Sequence, residues 1–67
     1  METILDRTKK LAKEKGLSLS ELEEKIGIAK TSIYSWKSNI PKGETIQKTA
    51  DVLDTSTDYL LGRTDDP

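Results

Sequence analysis

The chain contains neither cysteine nor histidine. Without thiols it can hold no disulfide framework and no thiolate metal site. Without imidazole it lacks the commonest general base and the commonest zinc ligand. No apolar run approaches the ~20 residues of a membrane span, and no signal-peptide pattern opens the chain. The expectation is a soluble cytoplasmic protein with no membrane partner. A phosphate-cradling glycine loop is missing too, and Glu21, Glu23 and Glu24 fall on an ordinary amphipathic helix. That composition argues against an enzyme and calls for no cofactor.

What is present fits one small domain. Sixty-seven residues leave no room for a second core, and a chain this short buries only ~60% of its unfolded surface, so its stability should be a few kcal/mol. Net charge is −1, whereas nucleic-acid binders tend to be basic. The distribution is less neutral than the sum. Residues 30–48 carry Lys30, Lys37, Lys42 and Lys48 against Glu44 alone, and residues 49–67 carry Asp51, Asp54, Asp58, Asp65 and Asp66 against Arg63 alone. A positive face and a negative one can coexist on a small domain, because an anion responds to the local field.

Hydrophobic spacing and capping signals predict an all-α chain of five helices. The first runs from Glu2 to Lys15, with Ile4, Leu5, Thr8, Leu11 and Ala12 on one stripe and Arg7, Lys9, Lys10 and Lys13 on other faces. Gly16 closes it. Ser18-Leu19-Ser20-Glu21 is a capping box that starts the second helix, which carries Leu22 and Ile26 inward and stops at Gly27. After the link Ile28-Ala29, a third helix from Lys30 to Ser38 turns Ile33 and Trp36 inward and Lys30, Thr31, Tyr34 and Ser35 outward. Asn39 to Gly43 reads as a loop. A fourth helix, Glu44 to Leu53, has Ile46, Thr49, Ala50 and Leu53 on its stripe, and Ser56 caps a last helix through Leu61 that Gly62 stops. The domain is 1–62, and 63–67 is a frayed polar tail.

Two short helices joined by a glycine-containing turn, the second with a polar outward face, form the local pattern of a helix-turn-helix, here from Leu19 to Ser38. Gly16-Leu17-Ser18, Leu22, Ile26-Gly27-Ile28, Ser32-Ile33, Trp36 and Asp58-Tyr59-Leu60-Leu61-Gly62 together resemble the Cro/CI-type helix-turn-helix family of phage repressors and related bacterial regulators. The match runs from about Ile4 to Gly62. The resemblance implies a compact five-helix, lambda-repressor-like domain. It would act as a transcriptional regulator on double-stranded operator DNA, the third helix lying in the major groove. The operator would be palindromic, with two copies pairing weakly and chiefly on DNA. Leu60, Leu61 and the loop around Thr55 are candidates for that pairing surface, with Leu60 and Leu61 equally able to be core.

Carried onto matching positions, the family's roles put base contacts on Lys30, Thr31 and Ser35. Lys30 suits guanine O6/N7, and Thr31 offers a methyl to thymine or a hydroxyl to several bases. Backbone contacts fall on the Leu19 and Ser20 amides at a helix N-terminus and on Tyr34, Lys37, Ser38, Asn39 and Lys42. The bland alternatives are that the lysines are solvated surface and that the Tyr34 ring packs across a helix junction.

The sequence also departs from the family. Ala12 and Lys37 stand where an arginine and a glutamate often pair, which puts a cation where the family has an anion. Leu19 replaces a glutamine, leaving only its amide. Ala29 occupies the expected cap of the third helix, an omission expected to cost ~1 kcal/mol that Ala29→Ser should recover. Glu23 replaces a small residue, with the expectation that its stem packs while the carboxylate reaches water. The other class of function compatible with the pattern is an antitoxin-like or adaptor module whose partner is a protein.

Overall fold

The computed structural model describes residues 2–66. Among them there is no strand; four α-helices and one 3-10 helix make up the regular structure, in the order α1 (Ile4–Glu14), α2 (Leu19–Ile26), η1 (Ser32–Lys37), α3 (Gly43–Leu53) and α4 (Thr57–Leu60). The all-helical reading of five elements holds. Helix α1 packs against each of the other four, and α2 also packs on α3 and η1.

Each start has a local chemical cause. The Ser18 hydroxyl accepts from the Glu21 N–H at 3.1 Å while the Glu21 carboxylate accepts from the Ser18 N–H at 3.2 Å, the reciprocal box expected from sequence. Helix α1 begins two residues later than expected, because Thr3 and Asp6 form a second such box. The Thr3 N–H bond holds the Asp6 carboxyl below the usual aspartate range. Ser56 caps α4 through the Tyr59 N–H at 3.0 Å. The stripe of α3 is buried as the spacing predicts: Ile46, Thr49, Ala50 and Leu53.

Leu22, Ile33, Leu53 and Leu60 form the fully enclosed centre, with Trp36 and Tyr59 beside them. Leu60 is therefore core and unavailable for pairing, while Leu61 remains partly exposed.

The largest correction concerns Arg7, expected on an outer face. It is buried. Its Nη1 donates to the Tyr59 carbonyl at 2.8 Å and to the Thr64 carbonyl at 2.6 Å, and its Nη2 donates to Asp65 Oδ1 at 2.8 Å. The guanidinium lies 4.5 Å from the centroid of the Tyr59 ring, a cation–π contact. The segment after α4 is thus fastened back onto α1, at least through Asp65, and the expectation of a frayed tail fails there. Pro67, the last residue of that tail, lies outside the described residues.

Candidate nucleic-acid interface

The helix-turn-helix is assembled from α2, the turn at Gly27 and η1. Gly27 ends α2 with φ of 89°, a left-handed conformation that a Cβ disfavours. Chain reversal there brings Ile33 and Trp36 onto the core, with Ile33 wholly enclosed. The two inward anchors expected of the third helix are in place.

Its boundaries and type differ from expectation. The element is a 3-10 helix over Ser32–Lys37, not an α-helix from Lys30 to Ser38. Lys30 and Thr31 occupy the turn before it. Ala29 is accordingly not its cap, and the stabilisation expected from Ala29→Ser loses its basis. The capping position belongs to Thr31, which has φ of 67° and makes no side-chain capping bond. A six-residue element suits the tighter 3-10 form, which is used in short pieces.

A β-branched residue in the left-handed region stores about 1–2 kcal/mol of strain. Thr31→Gly should release it, less the backbone entropy that glycine adds to the unfolded chain. The expected net gain is about 1 kcal/mol, or a rise of about 5 °C in melting temperature. A thermal melt that falls would overturn the strain reading.

Nearly all the residues expected at the interface are accessible. Lys30, Thr31, Tyr34, Ser35, Lys37, Ser38, Asn39, Lys42 and Ser20 are exposed, and Leu19 is half-buried. Tyr34 is 55% exposed, so its ring does not bridge a helix junction. The Ser35 hydroxyl donates to the Ser32 carbonyl at 2.7 Å, which spends its proton and leaves its oxygen as an acceptor. Tyr34, Ser35 and Lys37 stand on η1, Ser38 and Asn39 follow directly, and Lys42 caps α3 through its backbone. Leu19 and Ser20 hold the first turn of α2, where amides have no carbonyl one turn back.

Among the described residues Lys15 pairs with Asp54, Lys48 with Glu44, Arg63 with Asp58, and Arg7 with Asp65 and Glu2, whereas Lys30, Lys37 and Lys42, like Lys9, Lys10, Lys13 and Lys25, form no ion pair. Residues 30–43 carry these three lysines and no carboxylate, so the charge of that stretch is positive although the net charge is −1.

Sequence reasoning misjudged one residue at this site. Glu23 is 2% exposed, and its Oε2 accepts the Ile33 N–H at 3.1 Å. Its carboxylate does not reach water. A signal was present, because Glu23 adjoins Leu22 and lies three residues before Ile26, on the inward side of α2.

Comparison with known proteins places this arrangement. A family model described as helix-turn-helix matches residues 9–60. An uncharacterized HTH-type transcriptional regulator, YobD of Bacillus subtilis, is 43% identical over 63 residues, which are 91% of this chain and 56% of that protein. The crystal structure of the master regulator for biofilm formation SinR in complex with DNA superposes with a TM-score of 0.74 at 43% identity, covering 85% of this chain and 95% of that one. The P22 c2 repressor in complex with a synthetic operator superposes with a TM-score of 0.83, covering 91% and 96% of the two chains; at 24% identity it shows a shared fold. The chain spans a little over half the length of the curated relatives it matches.

Proposed function

Because this chain belongs to the Cro/CI-type helix-turn-helix family, we propose that it binds double-stranded operator DNA sequence-specifically and regulates transcription, as a repressor. The turn at Lys30 and Thr31 and the outward side of η1 enter the major groove. Lys30, Thr31 and the Ser35 hydroxyl oxygen meet base edges. The Leu19 and Ser20 amides, with Tyr34, Lys37, Ser38, Asn39 and Lys42, meet phosphates and set the register. The observation that carries this reading is the exposed polar turn and η1 face, where Lys30, Lys37 and Lys42 stand with no carboxylate anywhere in residues 30–43.

Two copies act on a palindromic operator with half-sites about one helical turn, ~34 Å, apart. Of the residues expected at their pairing surface, Leu61 is exposed and Thr55 half-buried. Selection of binding sites from random duplexes tests the whole reading. The expected result is a two-fold consensus, with log affinity falling against log salt by about 0.9 per phosphate neutralised. No enrichment, together with a salt-insensitive complex with a protein, would favour the adaptor class instead.

A further inference from the structure

All twelve acidic residues but one are exposed; Glu23 alone is buried. A buried carboxylate is a poor choice for packing, since an apolar residue of similar size would avoid its desolvation. Its neighbours show what it does instead. Along the start of η1 the Ser32 N–H reaches the Ala29 carbonyl at 3.2 Å, and the Tyr34 N–H reaches the Thr31 carbonyl at 3.2 Å. Between them, the Ile33 N–H goes to Glu23. The carboxylate therefore occupies the place of the side-chain cap that Thr31 does not supply, and an anion at a helix N-terminus is favourable in itself.

This bond spans ten residues and ties α2 to η1. Resting on the function proposed above, we infer that Glu23 is a positioning residue for sequence discrimination, although it contacts no DNA. Helix α2 carries the amides that grip phosphate, and the turn and η1 carry the side chains that read bases. The Glu23–Ile33 bond fixes the reading element relative to the gripping one. Phosphate contacts tolerate small displacements because attraction between charges falls slowly with distance. Bidentate or methyl contacts with base edges do not, because hydrogen-bond strength depends steeply on angle. Loss of the bond should therefore harm discrimination and spare non-specific attraction.

The test compares the wild-type chain with Glu23→Ala and Glu23→Gln, using the duplex enriched from random DNA and a scrambled duplex of equal length. Glu23→Ala is expected to reduce the ratio of specific to non-specific affinity about tenfold or more, with affinity for scrambled DNA and its salt slope unchanged. Glu23→Gln keeps an oxygen that can accept from Ile33 and should retain most of the ratio. Amide hydrogen exchange provides a readout free of DNA: the Ile33 N–H should exchange faster in Glu23→Ala and remain protected in Glu23→Gln. A folded Glu23→Ala chain with an undiminished ratio would overturn the role. So would a folded Glu23→Gln chain that loses as much discrimination as alanine or leaves Ile33 unprotected, and these readings stand even where alanine fails to fold. A wild-type chain that prefers no sequence would sink the DNA reading itself, whereas a preference that survives in Glu23→Ala would sink only this inference.

Discussion

Replacing Arg7 by methionine should destabilise the fold by about 3 kcal/mol and lower its melting temperature by about 10–20 °C. The substitution keeps much of the aliphatic stem but removes three donated hydrogen bonds and the contact with the Tyr59 ring. The Tyr59 carbonyl keeps the Gly62 N–H at 3.1 Å, so the penalty comes from the lost bonds to a charged donor, which are stronger than neutral ones. For a chain whose whole stability is a few kcal/mol, the loss is most of it. The ion pair is not the reason. Asp65 has a side chain 99% exposed, and such pairs contribute little in water. Asp65→Asn should therefore change stability by no more than about 0.5 kcal/mol. Circular dichroism melts of the two variants decide the matter. A methionine variant melting within a few degrees of wild type would mean that the carbonyls find other donors, and an equally damaging Asp65→Asn would restore the ion pair to importance.

Lys37→Glu should produce the largest single loss in binding. Lys37 is exposed at the end of η1 and free of ion pairs among the described residues. Its field reaches the Asp6 carboxyl and, after the bonds from Thr3 and the charge of Lys9, helps to hold it below the usual aspartate range. Reversal removes a cation and presents an anion to the phosphate proposed to meet Lys37. Affinity for any duplex should fall about tenfold or more, with the salt slope reduced by about 1. The melting temperature should move little, because surface substitutions usually stay within about 0.5 kcal/mol. Equal affinity in the variant would remove Lys37 from the interface.

Much of the fold could be read from local chemistry. The Ser18–Glu21 box, the apolar stripe of α3 and the inward pair Ile33 and Trp36 each state their structural role within a few residues. The Thr3–Asp6 box is equally legible in its Thr-x-x-Asp pattern, which places the start of α1 at Ile4 and not at Glu2. Arg7 and Glu23 were harder, because each is an ionisable residue whose burial depends on a partner elsewhere in the chain. Position alone did hint at both: Arg7 lies three residues after Ile4 and four before Leu11, on the edge of the α1 stripe. Charge pushed the reading outward; the Tyr59 and Thr64 carbonyls, 52 and 57 residues away, pull it inward. The 3-10 form of η1 was not legible either, since it follows from the left-handed turn at Thr31 and from a cap donated by another helix. The accessible face expected at the interface survives these changes, but Lys30 and Thr31 lie in a turn instead of a helix.

The Arg7 clasp also has a consequence for engineering. Residues beyond α4 are held against α1 as far as Asp65, so a reporter or second module joined after them would start from a stationary anchor. Its reach would be set by the added linker, about 5–6 Å times the square root of the residue number for a glycine-rich one. Releasing the clasp would lengthen that tether at its root and lower the effective concentration of the attached module near the proposed DNA-facing surface.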